Sequence, residues 1–329
     1  MKFLKWLGVI LLILIVVNFL GPRPAVPKYK KDLPVIPPGS GALEKYISEH
    51  EAAHKLKPDN EARIIWANDS LKEKTEYAVV YLHGFSASQE EGDPVHIDFA
   101  KKFGCNLYLS RLAEHGIDTT EPLAAVTADK LWESAKEAYA IGKQLGEKVI
   151  IMATSSGGTL ALKLAAEYPE INALILLSPN IAINNSLAWL LNNPWGLQIS
   201  HLVRGKYNIV DDTTAIYKRY WYNKYRMEGP VQLQELLETT MRSSLFEKIT
   251  QPVLLLYYYK DEEHQDPVVK VSAMKRMFRQ LGTPDSLKRE IAVPNAENHV
   301  IGSYIKSKDI ETVEKETERF AKEVLHMGN

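Results

Sequence analysis

An apolar run, Ile150-Ile151-Met152-Ala153, passes directly into Thr154-Ser155-Ser156-Gly157-Gly158 and then into a helix-forming stretch. A serine held on a sharp turn between a buried strand and a helix has its hydroxyl lifted clear of the sheet edge, where it can attack a bound carbonyl. Such a turn crowds the side chains two positions before and two after the nucleophile, so both must be small. Ser155 meets that condition with Ala153 and Gly157, whereas Ser156 would put β-branched Thr154 at the crowded position. Ser155 is therefore the candidate nucleophile, although an alanine stands where such turns usually carry their first glycine. The plainer alternatives are a polar turn or a phosphate-binding helix N-terminus.

A serine hydroxyl needs a base to take its proton and donors to hold the oxyanion it creates. Tyr77 to Leu82 is another core-strand run, and it ends in His83-Gly84-Phe85. In sheets built around such an elbow, that loop and the residue after the nucleophile supply the oxyanion donors, here the backbone N–H groups of Phe85 and Ser156. His83 is expected to order its own loop, with the Ser86 and Ser88 hydroxyls as further loop hydrogen bonders. The chain order of serine, acid, then histidine places the base after the last strand. His299 in Asn295-Ala296-Glu297-Asn298-His299 fits, ahead of His201, His264 and His326. Two aspartates compete for the acid in Tyr259-Lys260-Asp261-Glu262-Glu263-His264-Gln265-Asp266-Pro267-Val268-Val269. Strand-end counting favours Asp261. The step into Pro-Val-Val favours Asp266, which is chosen because the acid must be fixed by packed backbone to hold the imidazole tautomer.

The elements that carry these residues alternate. Helical patterns span 42–55, 95–103, 128–145, 158–168, 268–281 and 310–326. Strand patterns span 62–66, 77–82, 106–109, 148–153, 171–178, 253–259 and 287–293. Continuous apolar strands between helices of this length predict an α/β fold, a mostly parallel central sheet flanked by helices. Residues 180–246 interrupt the alternation and are rich in aromatics, among them Trp189, Trp195, Tyr217, Tyr220, Trp221 and Tyr225. An insertion at the C-terminal edge of a parallel sheet lies where ligands bind, so a helical cap is expected there, with Trp189 and Trp221 contacting substrate. The plainer alternative is an elaboration that only shields the sheet edge.

With its His-Gly-Phe loop, its Ser155 elbow and its Leu254-Leu255-Leu256 strand followed by Asp266-Pro267-Val268-Val269, the chain resembles the α/β-hydrolase superfamily. Within it, the carboxylesterase and monoacylglycerol lipase-like (lysophospholipase-like) branch is nearest, and the likeness extends over about residues 64–325. The resemblance implies Ser155, Asp266 and His299 as a triad, with the amides of Phe85 and Ser156 as oxyanion hole. It implies two-step acyl transfer on carboxylic esters of acyl or lipid type, with no cofactor. An amidase, peptidase or thioesterase on the same triad, or a non-catalytic binding protein of the same fold, stays open.

The chain of 329 residues has 40 basic and 41 acidic residues, a net charge of −1, and no electrostatic footprint for nucleic acid. Its one cysteine, Cys105, opens an apolar strand and is read as packing. Residues 1–21 carry Lys2 and Lys5 before the apolar run Trp6 to Leu20, the pattern of a membrane anchor or an export signal, and the anchor is preferred because no cleavage site follows convincingly. A membrane-anchored or exported location in the cell envelope follows. Prolines 22, 24, 27, 34, 37 and 38 mark residues 22–41 as an extended, unpaired tether, and the hydrolase domain spans 42–329. His50-Glu51-Ala52-Ala53-His54 matches a zinc-protease pattern, but no third ligand follows in a suitable context, and no metal is expected.

Overall fold

The computed structural model describes residues 2–328. In chain order its elements are α1 (Lys2–Phe19), α2 (Ser40–Ala52), β1 (Arg63–Ile65), β2 (Thr75–Leu82), α3 (Val95–Lys102), β3 (Asn106–Leu109), α4 (Ala128–Leu145), β4 (Gly146–Thr154), α5 (Ser156–Glu167) and β5 (Ala173–Leu177). There follow α6 (Gly196–Arg204), β6 (Tyr207–Ile209), α7 (Ala215–Tyr220), β7 (Lys224–Arg226), α8 (Glu228–Thr240), α9 (Ser243–Phe246), β8 (Val253–Tyr257), α10 (Val271–Gln280), β9 (Lys288–Ala292) and α11 (Ile310–Glu323).

Seven strands form one sheet in the order β1-β3-β2-β4-β5-β8-β9. Every pairing is parallel except β1 with β3. The apolar runs are continuous because both faces are covered, and the two-residue pleat sorts them. Ala78, Val80, Leu82, Ile151 and Leu255 pack under α4, α5 and α10. Val79, Tyr81, Ile150, Ile175 and Leu254 pack under α3 and α11. This is the α/β-hydrolase arrangement.

Register aligns the ends that matter. Leu82 pairs with Ala153, Thr154 with Leu177, Leu177 with Leu256, and Tyr257 with Ala292. The loops that begin at His83, Ser155, Tyr258 and Val293 therefore leave the sheet along one edge. Above that edge lies the insertion, with α6 to α9 and a small antiparallel ladder of β6 on β7 that the aromatic pattern did not disclose. A cluster of Tyr217, Tyr220 and Trp221 with Ala87 and Val300 joins the insertion to the body.

The proline-rich segment is extended, yet it is not the unpaired spacer expected. It lies as a strap across α4, α5 and α8. Trp132 Nε1 donates to Lys30 O at 2.7 Å, Lys136 Nζ donates to Asp32 O at 2.7 Å, and Tyr168 donates to Lys31 O. The amides of Lys28 and Tyr29 donate to Asp129 Oδ1 at 2.8 and 3.0 Å, and Ile36 is buried. Prolines keep the strap extended, and side chains far along the chain supply its partners. Ahead of it, α1 exposes apolar side chains, among them Phe3, Leu12 and Phe19, and touches the body where Trp195 Nε1 donates to Val17 O at 2.8 Å. Among the described residues no helix is long and apolar enough to cross a membrane. The 18 residues of α1 extend only ~27 Å against ~30 Å of bilayer hydrocarbon.

Candidate active site

Ser155 occupies the turn between β4 and α5 with φ 52° and ψ −118°. A non-glycine residue in such a conformation costs about 1–3 kcal/mol and persists only where its surroundings hold it. They do: its N–H donates to Leu177 O at 3.1 Å, and its carbonyl accepts from Asn180, Gly158 and Thr159 at 2.8, 2.9 and 3.3 Å. Small flanking residues are required, for a more specific reason than crowding within the turn. A Cβ on Gly157 would lie 2.1 Å from Leu82 O and 2.7 Å from His83 O, so the helix can start here only because its second residue has no side chain against the end of β2.

The neighbouring loop is ordered by His83, which is fully buried. Its Nε2 accepts from Leu112 N–H at 3.0 Å, which leaves Nδ1 as donor to Gly84 O at 2.8 Å. Burial, with His115 and Arg111 nearby, holds this imidazole well below its ordinary range, so it stays neutral. Ser88 does not join the loop's hydrogen bonding as expected, because its buried hydroxyl has no partner among the described residues. Among the described residues the backbone N–H groups of Phe85 and Ser156 also have no acceptor.

His299 follows β9 and is buried, with Nδ1 2.6 Å from Asp266 Oδ2. Asp266 is in turn held by backbone. Its Oδ1 accepts the N–H groups of Val268 and Val269 at 2.8 and 3.0 Å, and its own N–H donates to Tyr258 O at 3.2 Å. Burial pulls the His299 imidazole down, but the charge and hydrogen bond of Asp266, with Glu91 beyond, raise it net above its ordinary value. Asp261 points elsewhere: its Oδ1 accepts from His264 in an exposed loop. His201 lies in the insertion near Glu228, and His326 is exposed near the chain end.

Ser155 and His299 line one cavity of about 630 Å³, roofed by residues of the insertion that include Leu190, Ile199, Tyr217, Trp221 and Leu233. The roof is mostly apolar. Trp189 does not belong to it. The short turn Ala188–Leu190 directs Ala188 and Leu190 inward, while Trp189 is 53% exposed and borders an adjoining cavity of about 520 Å³. Other aromatics of the insertion serve structure, as Tyr220 donates to Asp59 and Tyr222 to Ile117 O. The polar residues on the cavity wall that the sequence does not single out include Glu91 and Asn180. Glu91 lies within an acidic run that resembles a solvated loop, and nothing local discloses its burial.

The zinc-like pattern dissolves on inspection. Helix α2 ends at Ala52, so His50 and His54 share no helical face. Glu51 is engaged with Arg111 at 2.8 and 2.9 Å and accepts the Ala62 N–H at 2.8 Å. Cys105 is buried and its thiol is pushed up to about 12, as befits packing.

Comparison with known proteins identifies the family. Residues 74–292 match the family described as serine aminopeptidase, S33. A thermostable monoacylglycerol lipase of Bacillus sp. (strain H-257) is 26% identical over 190 residues, which cover 57% of this chain and 71% of the relative. The structure reported for two metagenome-derived lipolytic enzymes, LipS and LipT, superposes with a TM-score of 0.65 at 19% identity, covering 82% of this chain and 99% of the other. A monoacylglycerol lipase of Paleococcus ferrophilus gives a TM-score of 0.57 at 15% identity over 80% and 98% of the two chains. The chain therefore belongs to the serine aminopeptidase S33 family, and it is an α/β-hydrolase of lipase and esterase-like kind.

Proposed function

We propose that this protein hydrolyses carboxylic esters with apolar acyl groups through a Ser155–His299–Asp266 triad. The observation that carries the reading is the placement of a strained serine and an aspartate-bound, buried histidine on the wall of one largely apolar cavity. In the first step His299 takes the Ser155 proton as the oxygen attacks the ester carbonyl. The oxyanion is held by the amides of Phe85 and Ser156, and the imidazolium returns the proton to the departing alcohol. Water then attacks the acyl-enzyme as His299 takes its proton, and the imidazolium gives that proton to the departing Ser155 oxygen as the acid is released. Asp266 keeps the Nδ1 proton in place and stabilises the imidazolium.

Lipid-like acyl chains suit the roof, and the monoacylglycerol lipase relative points the same way. The division into an anchor at 1–21, a strap at 22–41 and a hydrolase domain with its cap at 180–246 belongs to this proposal. So does attachment of the domain to a membrane through α1, whose apolar side chains, among them Phe3, Leu12 and Phe19, are exposed. The test is a panel of p-nitrophenyl esters, anilides and thioesters with wild type and Ser155→Ala. Serine-dependent turnover of esters above the other classes supports the reading. Faster cleavage of anilides or thioesters reassigns the substrate, and absence of turnover in every class makes the fold a binding module.

A further inference from the structure

The proposed mechanism leaves a buried carboxyl group on the cavity wall without a role. Glu91 belongs to the short turn Gln89–Gly92 after β2 and is 3% exposed. Its Oε2 accepts the Gly84 N–H. A Cβ on Gly84 would fall 2.7 and 2.8 Å from the two carboxylate oxygens and 3.0 Å from Ser155 Cβ. Carboxylate and nucleophile thus flank the same glycine, one residue before the Phe85 amide. From the cap, Trp221 makes a further side-chain interaction with it, and His299 acts on it through charge.

A hydrogen bond to one backbone amide does not require a charge, and burying a carboxylate without a cation is costly. No lysine or arginine is among the groups acting on Glu91. The titratable groups that face it are Tyr81 from β2, Tyr217 from α7 and His299. Both phenols are held protonated by burial. His96 of α3, packed at Gly92, is pushed down to about 4 by burial and stays neutral. Of these, only His299 is shifted toward its positive form, its imidazole being raised above its ordinary value.

We propose that Glu91 is a positioning residue of this site: through Gly84 it sets the pose of the Phe85 amide, and its carboxylate supplies a second negative charge toward the Asp266-bound imidazole of His299. The inference rests on the triad reading for its catalytic meaning, but its electrostatic part stands apart from any substrate. Burial pushes the Glu91 acid up to about 7, against the opposing effects of the Gly84 bond and His299. Glu91 and His299 therefore titrate as a coupled pair. Ionised Glu91 raises the imidazole, so its removal must lower it.

The experiment follows the His299 ring by NMR through a pH titration of wild type and Glu91→Gln, alongside kcat/KM profiles for a p-nitrophenyl ester. Glutamine keeps the shape and an acceptor for Gly84, so this variant removes the charge and leaves the loop tethered. The expected result is a His299 titration moved to lower pH by roughly half a unit or more, with the acid limb of kcat/KM moving the same way. Glu91→Ala, which also frees the loop, should lower kcat about ten-fold or more with KM little changed, since a displaced oxyanion donor weakens only the transition state. An unmoved His299 titration in Glu91→Gln overturns the proposal. So does a Glu91→Ala loss confined to KM. Absence of turnover in wild type with esters, anilides and thioesters alike would defeat the triad reading, while the NMR titration would still decide the charge on Glu91.

Discussion

Nδ1 of His299 and Oδ2 of Asp266 lie 2.6 Å apart, across 33 residues of chain, and both side chains are buried. Asp261, five residues before Asp266, accepts instead from the Glu263 N–H and from His264 in an exposed loop. Asp266→Asn should therefore reduce kcat by roughly 10⁴-fold, the scale for a triad acid whose loss releases the wrong tautomer. Asp261→Asn should stay within about two-fold, as expected of an exposed pair worth little. Steady-state kinetics on one p-nitrophenyl ester rank the two, and the reverse ranking would move the acid.

The same pair sets the pH dependence. Only neutral His299 can accept the serine proton, and its raised value means that a larger fraction is protonated at any given acidic pH. The acid limb of kcat/KM should then lie above the ordinary ~6.5 of a free histidine. A limb at or below that value would show that burial outweighs Asp266.

Selectivity for acyl length should depend on Trp221 and not on Trp189, because only the former borders the cavity with Ser155. Each methylene buried there is worth ~0.8 kcal/mol, so kcat/KM should climb with chain length until the cavity fills. Trp221→Ala should flatten the climb, and Trp189→Ala should leave it unchanged. A p-nitrophenyl ester series from acetate upward measures both.

Truncation separates α1 from the strap. Deleting residues 1–21 should leave the unfolding midpoint in urea nearly unchanged while removing any membrane association. Deletion through residue 38 also removes the bonds to Asp129, Trp132 and Lys136, at about 0.5–1.5 kcal/mol each, and should lower stability by at least ~2 kcal/mol.

What the sequence made legible divides by the range of the physics involved. The Ser155 elbow was readable because a tight turn demands small residues at fixed offsets. The runs of β4, β5 and β8 were readable because burial on both faces makes their inner residues continuously apolar. The partnership of His299 with Asp266 followed from chain order and from the Pro-Val-Val step that anchors the acid to backbone. Glu91 was not readable, because two of the groups that act on it, Trp221 and His299, lie more than a hundred residues away in the chain. Likewise, nothing in an aromatic run tells Trp221 from Trp189, since the inward face is set by the turn at Ala188. The strap looked like a spacer because proline content reports extension and says nothing of side chains waiting on α4.

The most direct test of the central claim is mass-spectrometric mapping of the adduct formed with a fluorophosphonate probe on the full chain. A strained serine on the wall of the same cavity as an aspartate-held histidine should be labelled at Ser155 alone, with labelling abolished in Ser155→Ala and retained in Ser156→Ala, where only the backbone amide is used. Modification of Ser156, equal loss in both variants, or no adduct on the folded protein would contradict the account.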